Sequence, residues 1–176
     1  MKKLLIVVDM QKDFVDGALG TPEAQKIVDN VVRKIESFDG DVLFTQDTHA
    51  KNYLDTAEGR KLPVVHCVKG TPGFELNERV RAACDRKGAA GIEKLTFGAK
   101  DLPALLRRKY PEGLESIELI GLCTDICVIS NALLLKAFFR ETPIAVDASC
   151  CAGVTPDSHK NALAAMKMCQ IDIEHE

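Results

Sequence analysis

Short runs rich in Val, Ile and Leu alternate along this chain with segments of helical period, and that alternation constrains the fold more than any other feature. The strand candidates are Leu4–Asp9, Asp41–Gln46, Gly91–Leu95, Ser116–Gly121, Pro143–Ala148 and Gln170–Glu174. The helix candidates are Pro22–Ser37, Leu76–Cys84, Leu102–Tyr110, Asp125–Phe139 and Asp157–Met168. A strand apolar on both sides needs cover on both sides, which is the signature of a parallel sheet under helices. Thr21-Pro22 and Thr155-Pro156 mark two helix starts, each a Thr cap followed by Pro at the first helical position. The expected fold is α/β: one domain over residues 1–176, a three-layer α/β/α sandwich around a mainly parallel, roughly six-stranded, Rossmann-like sheet.

Bulk properties narrow the function. The 176 residues carry a formal net charge of −3, with a pI near 5.8. That mild acidity argues against nucleic acid or an anionic membrane as the main partner. No apolar run is long enough to span a bilayer. The opening Met1–Val8 stretch is too short for a signal peptide and runs into Asp9-Met10-Gln11-Lys12-Asp13 rather than a small-residue cleavage site. The seven cysteines are odd in number, and no C-x-x-C pair occurs among them. A disulfide framework is therefore not expected, and a reducing cytoplasm is the natural setting. The expected partner is a small molecule.

Chemistry-bearing residues fall where strand candidates end. In an open α/β sheet, ligands bind outside the C-terminal ends of the strands. Asp9 closes the first strand, where partial desolvation would make its carboxylate a usable base; a loop cap is the plainer reading. Lys94 lies near the end of an otherwise apolar strand and must reach a partner or a solvated edge. The run Ile120–Val128 turns from a strand into a helix, with Thr124 or Asp125 as the expected cap. Cys127 would then sit in the first helical turn, where free N–H groups and the helix dipole favour thiolate. The competing reading is a packed core cysteine. Asp47-Thr48-His49 on an extended segment, together with His66, offers one oxygen and two imidazole nitrogens, a set that suits Zn²⁺, Fe²⁺ or Mn²⁺. Asp55 is a candidate fourth ligand. The segment Thr48–Phe74 reads as a long polar loop rich in Gly, Pro and His, a length usually reserved for function. No Walker sequence or G-x-G-x-x-G fingerprint is present, which counts against a nucleotide-binding module.

These residues, in this order, resemble the isochorismatase-like cysteine hydrolases, and among them the nicotinamidases. The resemblance runs through Val8-Asp9-Met10-Gln11-Lys12-Asp13-Phe14, Thr45-Gln46-Asp47-Thr48-His49, His66-Cys67-Val68-Lys69-Gly70-Thr71-Pro72-Gly73, Lys94, and Gly121-Leu122-Cys123-Thr124-Asp125-Ile126-Cys127-Val128. It implies the isochorismatase-like hydrolase fold and a catalytic triad of Asp9, Lys94 and Cys127. It also implies a cis peptide before Cys123, and an oxyanion hole of backbone N–H groups at Cys123 and Cys127. Phe14 and Phe97 would line the pocket for a flat ring. Asp47, His49 and His66 would hold a divalent metal, Zn or alternatively Fe or Mn. The implied reaction is cleavage of a small carboxamide, nicotinamide above all, to acid and ammonia, in an enzyme that is a homo-oligomer. Two departures stand out: Asp55 occupies the place where nicotinamidases carry a further His, and the chain has no Trp. The alternatives are an amidase for an N-carbamoyl or ureido compound and a non-catalytic ligand- or metal-binding member of the fold.

Overall fold

The computed structural model describes residues 1–176. Six strands form one sheet: β1 (Lys2–Val8), β2 (Asp41–Asp47), β3 (Ala90–Lys94), β4 (Leu114–Leu122), β5 (Ile144–Ala152) and β6 (Asp172–Glu174). Their order is β3-β2-β1-β4-β5-β6, and every pairing is parallel. The chain runs outward from β1 to one edge, returns, and continues from β4 to the other. The order therefore reverses between β1 and β4, and a crevice opens there at the strands' C-terminal ends.

The helices are α1 (Lys12–Val15), α2 (Pro22–Ser37), α3 (Ala57–Lys61), α4 (Glu78–Arg86), α5 (Leu102–Lys109), α6 (Ile129–Phe138) and α7 (Pro156–Met168). Strand alternation distributes β1 between two cores. Leu4, Ile6 and Val8 pack with Leu102, Leu106, Ala132, Leu135, Leu163 and Met166 of α5, α6 and α7. Leu5 and Val7 face the other way, onto Ile27, Val31 and Ile35 of α2 and Val80 and Cys84 of α4. All five β1 side chains are fully buried, each contributing about 1.5–3 kcal/mol. The caps form as read: Thr21 accepts from Ala24 N–H at 3.0 Å, and Thr155 accepts from Ser158 N–H at 3.0 Å in a capping box.

Two local expectations are corrected. The Thr48–Phe74 segment is not a plain loop: it holds 3₁₀ turns at Tyr53–Asp55 and Pro72–Phe74 and the short helix α3, capped by Thr56. Neither Thr124 nor Asp125 caps the helix after β4. Thr124 Oγ1 is committed to His159 Nδ1 at 2.7 Å, and the Asp125 carboxylate accepts from Val154 N–H at 3.2 Å. The chain instead enters α6 through a π turn over Thr124–Val128, closed by Val128 N–H to Cys123 O at 3.0 Å.

Gly121 pairs with Val8 of β1 at close range. It has φ +116°, and a Cβ there would collide with the Val8 carbonyl oxygen. Only glycine meets both demands. Gly121→Ala is expected to cost about 3 kcal/mol in urea denaturation; unchanged stability would contradict this packing.

Candidate active site

Three strand ends and one turn deliver the central groups. Asp9 follows β1 with φ +45°, a left-handed conformation that Asp tolerates better than most residues. Its carboxylate is fully buried and accepts from Thr45 Oγ1 at 2.7 Å. Lys94 ends the edge strand β3, yet its head turns inward and is buried. Nζ lies 2.7 Å from Asp9 Oδ2, 3.3 Å from Asp47 Oδ1, 3.1 Å from Thr96 O and 3.4 Å from Cys127 Sγ. An ammonium has three protons for these four acceptors, so Asp47 and the sulfur compete for the third.

Burial acts on each group differently. It pushes Lys94 down, but the charges of Asp9, Cys127 and Asp47 outweigh it, and the ammonium is held well above its ordinary range. Burial pushes Asp9 up, against the pull of Lys94. The Cys127 thiol is pushed well up by burial and by Asp9, with Lys94 opposing. The open first helical turn expected for Cys127 is not present: the residue lies near the end of a π turn and is 3 % exposed. Cys123 is pushed up to about 12 by burial. The Leu122–Cys123 peptide is cis, and the Cys123 N–H donates to no protein acceptor.

Beside the lysine lies a second polar cluster. Asp47, His49, Glu58 and His66 each offer one ligand atom, and these atoms all lie within 4.8 Å of one another. Asp47 Oδ2 is 2.9 Å from His49 Nε2 and 3.7 Å from His66 Nε2. Glu58 Oε1 is 3.7 Å from His49 Nε2 and 3.9 Å from His66 Nε2. His66 Nδ1 lies 2.7 Å from Val64 O, which assigns the proton to Nδ1 and turns the Nε2 lone pair toward the cluster. Burial pushes His66 down, but its contacts with Asp47 and Val64 O prevail, so it holds a proton more tightly than usual. Two imidazole nitrogens and two carboxylate oxygens aimed at one point fit a divalent cation, which would take that proton's place.

Asp55, a candidate fourth ligand, is exposed and outside this cluster. The second carboxylate of the cluster is that of Glu58, from the first turn of α3. Gly59 lets α3 close on the preceding turn, because a Cβ there would collide with Tyr53 O. The Thr56 cap with Gly59 three residues on was a usable signal for this helix. Two further residues escaped the sequence reading. Gln11 binds both backbone polar groups of Asp47. Asn131 donates to Cys127 O at 2.8 Å and Phe97 O at 3.1 Å and accepts from Ala99 N–H at 2.8 Å. A lone amide inside the apolar run of α6 was its signal, since a buried amide must be satisfied.

Both groups open on one cavity of about 190 Å³. Cys127, Cys123, Phe14 and Leu122 line it together with Asp47, Glu58 and His66, and Phe97 stands half-exposed in its wall. A largely apolar cleft with a few convergent polar groups suits a small-molecule ligand. The electrostatics predict opposite shifts in the pH midpoint for iodoacetamide modification of Cys127. Asp9→Asn removes a negative neighbour and moves the midpoint down; Lys94→Gln removes a positive one and moves it up. Two unmoved midpoints would contradict the coupling.

The isochorismatase domain matches residues 3–175. The structure is similar to nicotinamidase/pyrazinamidase PncA from Bacillus subtilis, at 29 % identity over 99 % of this chain and 100 % of that one, TM-score 0.84. It is similar to the pyrazinamidase of Pyrococcus horikoshii in complex with zinc, at 30 % identity over 98 % of both chains, TM-score 0.76. It is also similar to N-carbamoylsarcosine amidase from Thermoplasma acidophilum, at 30 % identity over 99 % of this chain and 96 % of that one, TM-score 0.77. A family match over nearly the whole length, on the sheet order and strand-end crevice described above, establishes that this chain belongs to the isochorismatase family.

Proposed function

We propose that this protein is a cysteine-dependent amidohydrolase that cleaves a small carboxamide, nicotinamide first, to the acid and ammonia. One observation carries the reading. A thiol within reach of a buried Lys–Asp pair and a two-histidine, two-carboxylate cluster face the same cavity. Two similar structures are pyrazinamidases or nicotinamidases, which supports a hydrolase acting on non-peptide C–N bonds.

In this reading Cys127 is the nucleophile and Asp9 the base. The raised thiol and the raised carboxylate suit a proton that moves between them as substrate arrives, rather than a standing thiolate. Asp9 takes the thiol proton, and sulfur bonds to the amide carbon. The Cys123 and Cys127 N–H groups receive the developing oxyanion. The C–N bond breaks as Asp9 returns the proton to the leaving nitrogen, which departs as ammonia. Water then gives a proton to Asp9 and attacks the thioester, the acid leaves, and the sulfur is reprotonated. Lys94 balances the charge of Asp9 throughout. Phe14 and Phe97 hold the ring.

The metal ligands in this reading are Asp47, His49, His66 and Glu58, and the mixed nitrogen and oxygen set suits Zn²⁺. The ion, when bound, supplies a Lewis-acidic point for a ring nitrogen, which would orient a pyridine carboxamide. A second reading, an amidase for N-carbamoyl compounds, is favoured by the likeness to N-carbamoylsarcosine amidase. Its substrate has no ring nitrogen for the cluster to hold.

Purified protein supplied with Zn²⁺ should release ammonia from nicotinamide. Cys127→Ala should abolish release while melting like wild type, and Asp9→Asn should lower kcat about 10²-fold or more. Release from N-carbamoyl compounds alone would establish the second reading. No release from any amide would leave a binding protein and overturn the proposal. Chelator competition should show that Glu58→Ala weakens Zn²⁺ binding at least about 10-fold, while Asp55→Ala leaves it unchanged; the reverse would restore Asp55 as the ligand.

A further inference from the structure

The metal-binding cluster is itself held in place, and one of the groups that holds it has no part in the chemistry above. Gln11 is fully buried. Its Nε2 donates to Asp47 O at 2.9 Å and to Phe74 O at 2.9 Å, while its Oε1 accepts from Asp47 N–H at 2.7 Å. One side-chain amide thus satisfies both peptide groups of a single residue.

The reason lies in the sheet. The register of β1 with β2 ends at Val7 opposite Phe44, β1 itself ends at Val8, and the last backbone bond between the two segments is Asp9 N–H to Thr45 O at 3.2 Å. Asp47 lies three residues past Phe44, with β3 on its other side, where Thr48 N–H donates to Lys94 O at 2.9 Å. The side of Asp47 that β1 would have covered has lost its strand. Gln11, two residues beyond Asp9, takes that strand's place with its amide and prolongs the ladder by one residue. The pattern calls for a neutral amide. Two carbonyl oxygens meet the NH₂ and one N–H meets the oxygen, so a carboxylate here would set an oxygen against two carbonyls.

Asp47 is the residue for which this matters most. Its Oδ2 faces both histidines of the cluster, and its Oδ1 faces Lys94. A carboxylate at a frayed strand end would not hold both contacts. We propose that Gln11 is a positioning residue for the metal cluster, fixing the Asp47 carboxylate as a ligand by completing the hydrogen bonding of the Asp47 backbone. The inference rests on the reading of Asp47, His49, Glu58 and His66 as the metal ligands.

Gln46 provides the internal control. Its Nε2 donates to the same Phe74 carbonyl at 3.1 Å but touches neither peptide group of Asp47. The experiment uses metal-free full-length protein: wild type, Gln11→Glu, Gln11→Met and Gln46→Met. It measures the Zn²⁺ dissociation constant by chelator competition and the visible spectrum of the Co²⁺-loaded form. Thermal melting of each metal-free protein checks folding. Both Gln11 variants should bind Zn²⁺ about 10- to 100-fold more weakly and alter the Co²⁺ bands, whereas Gln46→Met should match wild type in both. Gln11→Glu preserves side-chain volume and carries the comparison if Gln11→Met fails to fold. Folded Gln11 variants with wild-type affinity and spectrum would overturn the inference. So would a Gln46→Met variant weakened as much as they are, because the effect would then belong to the Phe74 turn. Wild-type protein that binds neither ion would overturn the ligand reading and this inference with it, whereas tight wild-type binding with unaffected variants sinks this inference alone.

Discussion

A buried ammonium holds the centre of this molecule together. Lys94 Nζ sits 2.7 Å from Asp9 and 3.3 Å from Asp47, out of reach of solvent. Each charge, buried alone, would cost several kcal/mol; together, and with Thr96 O accepting as well, they satisfy one another. Each comes from the C-terminal end of a different strand. The order β3-β2-β1-β4 is what sets Lys94, Asp47 and Asp9 side by side and brings the turn after β4 in beside them. Removing the lysine would leave two carboxylates facing each other in a dry site, so the ion network requires the sheet order as much as the sheet order produces the network.

Asp47 is the joint between two kinds of chemistry. One oxygen of its carboxylate belongs to the lysine and the other to the histidines. Burial pushes Asp47 up, but His49, His66 and Lys94 outweigh it and hold the group well below the usual carboxylate range, so it stays ionised. An ionised carboxylate that cannot move far needs its backbone fixed. Gln11 does this from the β1 side of β2, and the ladder to Lys94 does it from the β3 side. On the Cys127 side Asn131 has the matching task, tying Cys127 O to the loop that carries Phe97. Two buried amides, each with its hydrogen bonds satisfied, thus frame the cavity.

Much of this was legible in the sequence, for identifiable reasons. Strands with apolar residues on both faces declared the parallel sheet, and the Thr-Pro starts of α2 and α7 declared their caps, because both signals are local. Asp9, Lys94, Cys127, Asp47, His49 and His66 stand at strand ends or in flanking turns, where the sheet rule directs attention. What was missed depends on tertiary contacts. Thr124 and Asp125 are good cap residues, but His159 and Val154 N–H compete for them, and those partners lie in or just before α7. Asp55 and Glu58 are both acidic residues in one polar stretch; only the 3₁₀ turn and the collision at Gly59 decide which faces the histidines. Cys127 was placed in an open first helical turn by its spacing from Thr124 and Asp125, but it lies buried in a π turn that depends on those two side chains being engaged elsewhere.

The proposed chemistry turns on a covalent route through the Cys127 sulfur rather than direct attack of water on the amide. Running the nicotinamide reaction with hydroxylamine present and measuring the products separates the two. A thioester is captured by hydroxylamine, so the account predicts nicotinohydroxamate at the expense of nicotinate, with ammonia release undiminished. A product that remains entirely nicotinate at every hydroxylamine concentration, with ammonia still released, would contradict it.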